Sequence, residues 1–276
     1  MLILSVSAYS QLLWRINGKN TRTTSYLLGT NALIPAKALD SITGVYRAFN
    51  KCNVVVSAYS SYSVDAESEL KRAAVLPFQK SIKDYLADSS YIMVDKELKK
   101  TIKFGLKEMA LLHPAMIRQI YLAELFGLAT NIADDAQTDS YFQRVASVKG
   151  VKVIGLQDYS MYIAGLFDPA KIQFYADKLV LDVTLRDSYK SLFVDLLRAY
   201  QSDNLVKTSE AAKVIDNLLA FEQTKKPLTE NEMVKLSDLL NTNSCFFTID
   251  VQKLAGENGV IEQLRKAGYE VKPYRK

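Results

Sequence analysis

The sequence predicts an α/β chain of the α+β kind: a mixed sheet whose strands come from both ends, with a large helical portion at about residues 65–240. Three observations predict it. Runs of β-branched and aromatic residues open the chain. From about Phe78 to Phe142 the apolar residues recur only at helical spacing. The last thirty or so residues then return to a strand, helix, strand pattern.

Leu12–Ile16 and Thr23–Leu28 flank Asn17-Gly18, a pair that accepts positive φ, so a β-hairpin with its turn at that pair is expected. Leu39–Phe49 places Leu39, Ile42, Val45, Tyr46 and Phe49 on one stripe and predicts one helix, followed by a strand over Asn53–Ser57, where three consecutive valines suit burial on both faces. In the helical portion the clearest helix follows Pro114, with Met116, Ile117, Ile120, Tyr121, Glu124 and Leu125; proline suits a first helical turn. Val151–Leu156 returns to strand character. Pro169–Tyr200 is one long helical stretch, and helices over Ser209–Phe221 and Thr229–Leu240 follow. A strand at Cys245–Ile249, a helix at Gly259–Ala267 and a strand at Tyr269–Lys272 close the chain. No Pro- or Ser-rich linker and no internal repeat divides it. Residues 11–276 are therefore read as a single domain, with room for a helical subdomain.

Composition removes several function classes. The 276 residues are 49% hydrophobic and 24% charged, enough to bury a sizeable core. Two cysteines are too few for a disulfide-stapled scaffold. Lys and Arg outnumber Asp and Glu by 35 to 30, spread along the chain, which does not point to nucleic acid as a partner. A single histidine sets the chain apart from metal centres and nucleophiles that draw on two or more imidazoles. No glycine-rich phosphate loop, no G-x-S-x-G elbow and no C-x-x-C occurs. Met1–Ser10 (MLILSVSAYS) is apolar and ends in Ala8-Tyr9-Ser10 before Gln11, a small-x-small spacing that reads as the remnant of a signal peptide and predicts an exported protein; a short amino-terminal strand in a cytoplasmic protein is the alternative. No segment approaches a membrane span, so no transmembrane segment is expected.

Two ends carry a resemblance. "LLWRINGKNTRTTSYLLGTNAL" is similar to the opening "LLWKI…SYLFGT.H" of the TraB/GumN family, which includes the Tiki-type proteases, and "SCFFTIDVQKLAGENGVIEQLRKAGYEVKPY" is similar to that family's closing segment. Between them "KCNVVVSAYS", "TDSYFQRVASVKGVKVIGLQ" and "YQSDNL" resemble further family segments in the same order, so the similarity spans roughly Leu12–Tyr274. The resemblance implies a Tiki-like fold of two related α/β halves meeting at a cleft. It also implies a divalent metal held there by two GxxH motifs and a glutamate, activating water for peptide hydrolysis; two imidazoles and a carboxylate can hold a cation and leave a position open for water.

This sequence departs from that pattern at each such position. Gly29-Thr30-Asn31-Ala32 keeps the first glycine but has Ala32 for the histidine. Asp250-Val251-Gln252-Lys253 has Asp250 for the second glycine and Lys253 for the histidine. Ungapped, the strand glutamate falls on Ala58, a later glutamate is Gln157, and an Arg-Asn pair appears as Glu230-Asn231. No catalytic residue of the family is intact at Ala32, Ala58 or Lys253; no metal and no cofactor is expected. Gly29, Asn31, Tyr59, Gln157 and Asp250 remain as cleft candidates. Asp250 pairing with Lys253 is one expectation, and two ordinary surface charges the other. The hydroxyl-rich run Ser57–Ser63 suits either a cleft lining, with Tyr59 and Tyr62 offering stacking faces, or a polar strand end and loop. His113, before Pro114, matches no family histidine and reads as structural. Cys52 and Cys245 begin two expected core strands and are read as either a disulfide or two buried thiols. The expected function is a pseudoenzyme that binds a peptide or protein ligand, and the competing expectation is a metal-dependent hydrolase with a relocated site.

Overall fold

The computed structural model describes residues 11–18, 23–132, 136–219 and 227–274. The expected signal remnant at residues 1–10 lies outside them. Two compact units make up the chain, one from residues 1–62, 134–157 and 194–276 and one from residues 63–133 and 158–193.

The first unit holds a six-stranded mixed sheet. Its strands are β1 (Leu13–Asn17), β2 (Thr24–Thr30), β3 (Val54–Ser57), β4 (Lys152–Gly155), β5 (Cys245–Asp250) and β6 (Glu270–Pro273), in the order β4-β3-β5-β2-β1-β6. β1 runs antiparallel to both β2 and β6, while β2, β5, β3 and β4 are mutually parallel. The mixed sheet assembled from both ends of the chain is thus present. The parallel strands read as continuous apolar runs because helices cover both faces of a parallel sheet; Val55, Val56, Phe246 and Phe247 are fully buried. The helices of this unit are α1 (Val45–Phe49), α5 (Thr138–Val148), the end of α8 (Arg186–Gln201), α9 (Leu205–Leu219), α10 (Glu230–Thr242) and α11 (Val260–Lys266). Phe142 of α5 packs its ring 4.6 Å from Phe246 and 5.0 Å from Phe49, which fastens α1 and α5 to the sheet.

The second unit is helical. Between α1 and α5 lie α2 (Val64–Ala73), α3 (Asp88–Thr101) and α4 (Pro114–Thr130); after β4 come α6 (Tyr159–Leu166), α7 (Ile172–Thr184) and the start of α8. α4 packs along α7, α3 against both, and α2 against α6. His113 is the N-cap of α4, with Pro114 at the first helical position. Its Nδ1 accepts the Ala115 N–H at 3.1 Å, and its ring stands edge-on to Phe167 and Tyr175. At 1% exposure the imidazole is pushed down to about 4 by burial, so it caps the helix as a neutral base. We expect His113→Asn, which keeps a capping acceptor, to cost about 1 kcal/mol and His113→Ala more. Urea denaturation of the two variants checks the order.

Four expectations need correction. Leu39–Phe49 is not one helix: a 3₁₀ turn covers Ala36–Ser41, and Gly44, at φ 82°, starts α1 from a left-handed residue. Pro169–Tyr200 is likewise divided into a 3₁₀ turn, α7 and α8 by a break at Leu185. Asn17 does not turn the hairpin. It pairs with Thr24 inside the ladder, so the connection is the longer 18–23 segment, of which 19–22 lie outside the described residues. Finally, Asn204 is followed directly by α9, four residues before the expected helix start, because its carbonyl accepts from Thr208 and its side chain from the Lys207 N–H. Both cysteines are free thiols: Cys52 Sγ bonds the Ala48 carbonyl and Cys245 Sγ the Leu239 carbonyl.

Candidate functional site

Four adjacent parallel strands end at one edge of the sheet, in the order β4, β3, β5, β2. Gly155 pairs with Ser57, Ser57 with Thr248, and Thr30 with Asp250, so β5 and β2 run two residues beyond the ends of β3 and β4. The carboxyl ends of parallel strands leave a crevice where open α/β sheets take ligands. The candidate residues lie at or just beyond these four ends, Gly29 being the next-to-last residue of β2. Asn31 and Ala32 follow β2, Ala58 and Tyr59 follow β3, Gln157 follows β4, and Asp250 ends β5 with Lys253 just beyond. With neighbouring strands about 4.8 Å apart, β2 and β3 lie about 10 Å apart across the sheet with β5 between them.

The backbone holds this edge closely. Gly29 is buried, and a Cβ there would stand 3.1 Å from Leu254 and Val251, so the start of the segment carrying Lys253 packs directly on β2. The β3–β4 ladder continues past the strands, with the Leu156 N–H donating to Ser57 O and the Gln157 N–H to Ala58 O at 2.8–2.9 Å. A Cβ on Gly155 would lie 2.7 Å from the Ser60 backbone nitrogen, so only glycine permits that approach. Asn31 is buried and turned back on the chain: its Oδ1 accepts the Leu33 N–H, and its backbone N–H and carbonyl both bond the Thr138 hydroxyl. The Ser57–Ser63 run divides between two roles. Ser57 is a buried strand residue, its hydroxyl 2.6 Å from that of Thr248, and Ser61 bonds Gln143, whereas Tyr59 is half-buried and Tyr62 exposed.

The side chains that give the edge its charge include several absent from the sequence reading. Glu232 on α10 bonds Gln157 through one carboxylate oxygen and the Thr229 N–H through the other at 2.6 Å, completing a capping box. Burial acts to raise its carboxyl, yet the bonds from Thr229 and Gln157, with Lys253 nearby, hold it below its ordinary value. Tyr59 is pushed up by burial and by Glu232. Asp250 does not form a contact ion pair with Lys253 among the described residues. Instead its Oδ1 accepts the Gln252 N–H at 2.8 Å, and the Gln252 side chain bonds Asp216. Burial pushes Asp250 up to about 7, with Asp216 and Asp139 adding repulsion while the Gln252 N–H and Lys253 pull the other way. Asp139 is itself raised by burial. The Thr229-x-x-Glu232 spacing was the one signal in the sequence that marked any of these groups, as a helix start.

The donor set does not fit the divalent cation that the family resemblance implies. Ala32 and Ala58 offer methyl groups, and Lys253 an ammonium that repels a cation. Both Glu232 oxygens are engaged, and among the described residues no three His, Cys, Asp or Glu side chains are grouped to hold a metal. His113 is a residue of the helical unit and no part of this edge.

In comparison with known proteins, the model of the TraB/PrgY/gumN family matches residues 12–273. No curated protein and no solved structure matches the chain.

Proposed function

The chain belongs to the TraB/PrgY/gumN family, and from that premise we propose that it is a catalytically degenerate member that binds a peptide or protein segment at the carboxyl edge of its parallel strands. The observation that carries this reading is the substitution of Ala32, Ala58 and Lys253, at three neighbouring strand ends, where the family pattern has two histidines and a glutamate. Neither a methyl group nor an ammonium can hold a cation and lower the pKa of its water. The side-chain carbonyl of Gln157 and the ammonium of Lys253 are groups that suit the backbone of an extended chain at this edge.

Purified full-length chain, offered a peptide library with and without manganese, cobalt or zinc, is expected to show no turnover, while individual peptides raise its melting temperature. Metal-dependent cleavage overturns the reading. A constructive test accompanies it. The quadruple variant Ala32→His, Ala58→Glu, Asp250→Gly and Lys253→His is expected to bind one of these metals in calorimetry; a folded variant that binds none shows that the three positions do not form one site.

A further inference from the structure

The helical unit carries a charge asymmetry that no part of the site uses. Along α3 and the turn after it stand five lysines, Lys96, Lys99, Lys100, Lys103 and Lys107, all exposed. The acidic residues of the same segment are turned to other work. Glu97 is buried and bonds Arg186 and Thr101. Asp95 accepts the Leu106 N–H at 2.8 Å through one oxygen and Lys99 through the other, and Glu108 accepts the Gly105 N–H at 2.8 Å. These two carboxylates fold the turn back against α3. Gly105 sits so close that a Cβ there would lie 2.5 Å from the Lys99 stem. Asp95, Glu97 and Glu108 are thus engaged with the backbone, Lys99, Thr101 and Arg186, and Lys96, Lys100, Lys103 and Lys107 form no ion pair among the described residues. Beside these lysines large apolar side chains face water: Ile92, one turn before Lys96, is 67% exposed, Phe104, next to Lys103, 60%, and Met93 is open as well.

We propose that this face, Ile92 and Met93 with Lys96, Lys100, Lys103, Phe104 and Lys107, is a contact surface for an anionic lipid bilayer. Charge complementarity selects the partner, because lysines in this number are drawn to acidic headgroups. The apolar residues interleaved with them select a bilayer over a purely polar polyanion, since they enter the headgroup boundary while the lysine stems extend to its phosphates. The contact is peripheral; no helix among the described residues is long and apolar enough to cross a membrane.

Sedimentation of the full-length chain with vesicles of phosphatidylcholine containing about a third phosphatidylglycerol tests it, with pure phosphatidylcholine vesicles and a DNA duplex as comparisons. Binding to the acidic vesicles alone is expected, weakened by added salt. Lys96→Gln, Lys100→Gln, Lys103→Gln and Lys107→Gln together are expected to reduce it by nearly three orders of magnitude, at roughly fivefold per lysine. Lys207→Gln with Lys213→Gln, at exposed positions of the other unit, leaves it within about twofold. Ile92→Ser with Phe104→Ser, which leaves every charge in place, weakens binding to the acidic vesicles and keeps their advantage over neutral ones. Absence of vesicle binding, equal binding to neutral vesicles, binding to the duplex alone, or equal losses in the two lysine variants would each overturn the proposal.

Discussion

Arg118→Met is expected to destabilise the protein by about 3–5 kcal/mol. Arg118 projects from α4 and Asp182 from α7, with side chains 3% and 1% exposed. Their contact is two-pronged, Nε to one carboxylate oxygen at 2.5 Å and Nη2 to the other at 3.2 Å, and the Tyr189 hydroxyl donates to the same carboxylate at 3.1 Å. Burial raises the Asp182 carboxyl above its ordinary value, and the bonds from Arg118 and Tyr189 pull against that rise. Removing Arg118 leaves a buried anion without its counterion, which costs far more than the net worth of the pair. The double variant Arg118→Met with Asp182→Leu is accordingly expected to recover most of the loss, because two apolar side chains of similar volume replace two desolvated charges. A double-mutant cycle by urea denaturation reads this as a coupling of several kcal/mol. A single-variant loss below about 1 kcal/mol would show that water reaches the pair.

How far such features are legible in the sequence differs between the two units. The sheet was legible strand by strand, because Val54–Val56 and Phe246–Phe247 are uninterrupted apolar runs and β1 and β2 lie on either side of a short polar link. That the first and last strands share one sheet was also legible, since a chain with strands only near its ends and one in the middle must bring them together to satisfy their backbone groups. Helix boundaries were not. Gly44 and Leu185 interrupt stripes whose periodicity continues across the break, and backbone conformation at one residue leaves no trace in apolar spacing. The candidate positions Ala32, Ala58 and Lys253 were visible only against the family pattern, because two alanines and a lysine announce no chemistry by themselves. Asp139, Asp216 and Glu232 lay beyond reach for a different reason: each is an ordinary helical carboxylate until the sheet order brings α5, α9 and α10 to the same edge.

Asp250→Asn is expected to make the protein more stable at pH 8 by about 2–4 kcal/mol and to leave it nearly unchanged at pH 4. Asp250 ends β5 with its carboxyl raised to about 7, chiefly because burial disfavours the anion. The unfolded chain releases this proton near the ordinary aspartate value of about 3.9. Between the two values the folded state holds a proton that the unfolded state has lost. The contribution to stability is therefore fully present below about pH 4 and is lost as the pH rises through about 7. Asparagine is neutral throughout and keeps the oxygen that accepts the Gln252 N–H, so the local turn survives and only the titration disappears. Some three pK units at about 1.4 kcal/mol each set the upper end of the range, and partial solvent access with the nearby Lys253 ammonium lowers it. Thermal unfolding of both proteins from pH 4 to 8 is the measurement. The difference between the two curves reads Asp250 together with its coupling to Asp216, Asp139 and Lys253, and parallel curves would mean that its carboxylate is ionised and solvated in the folded protein.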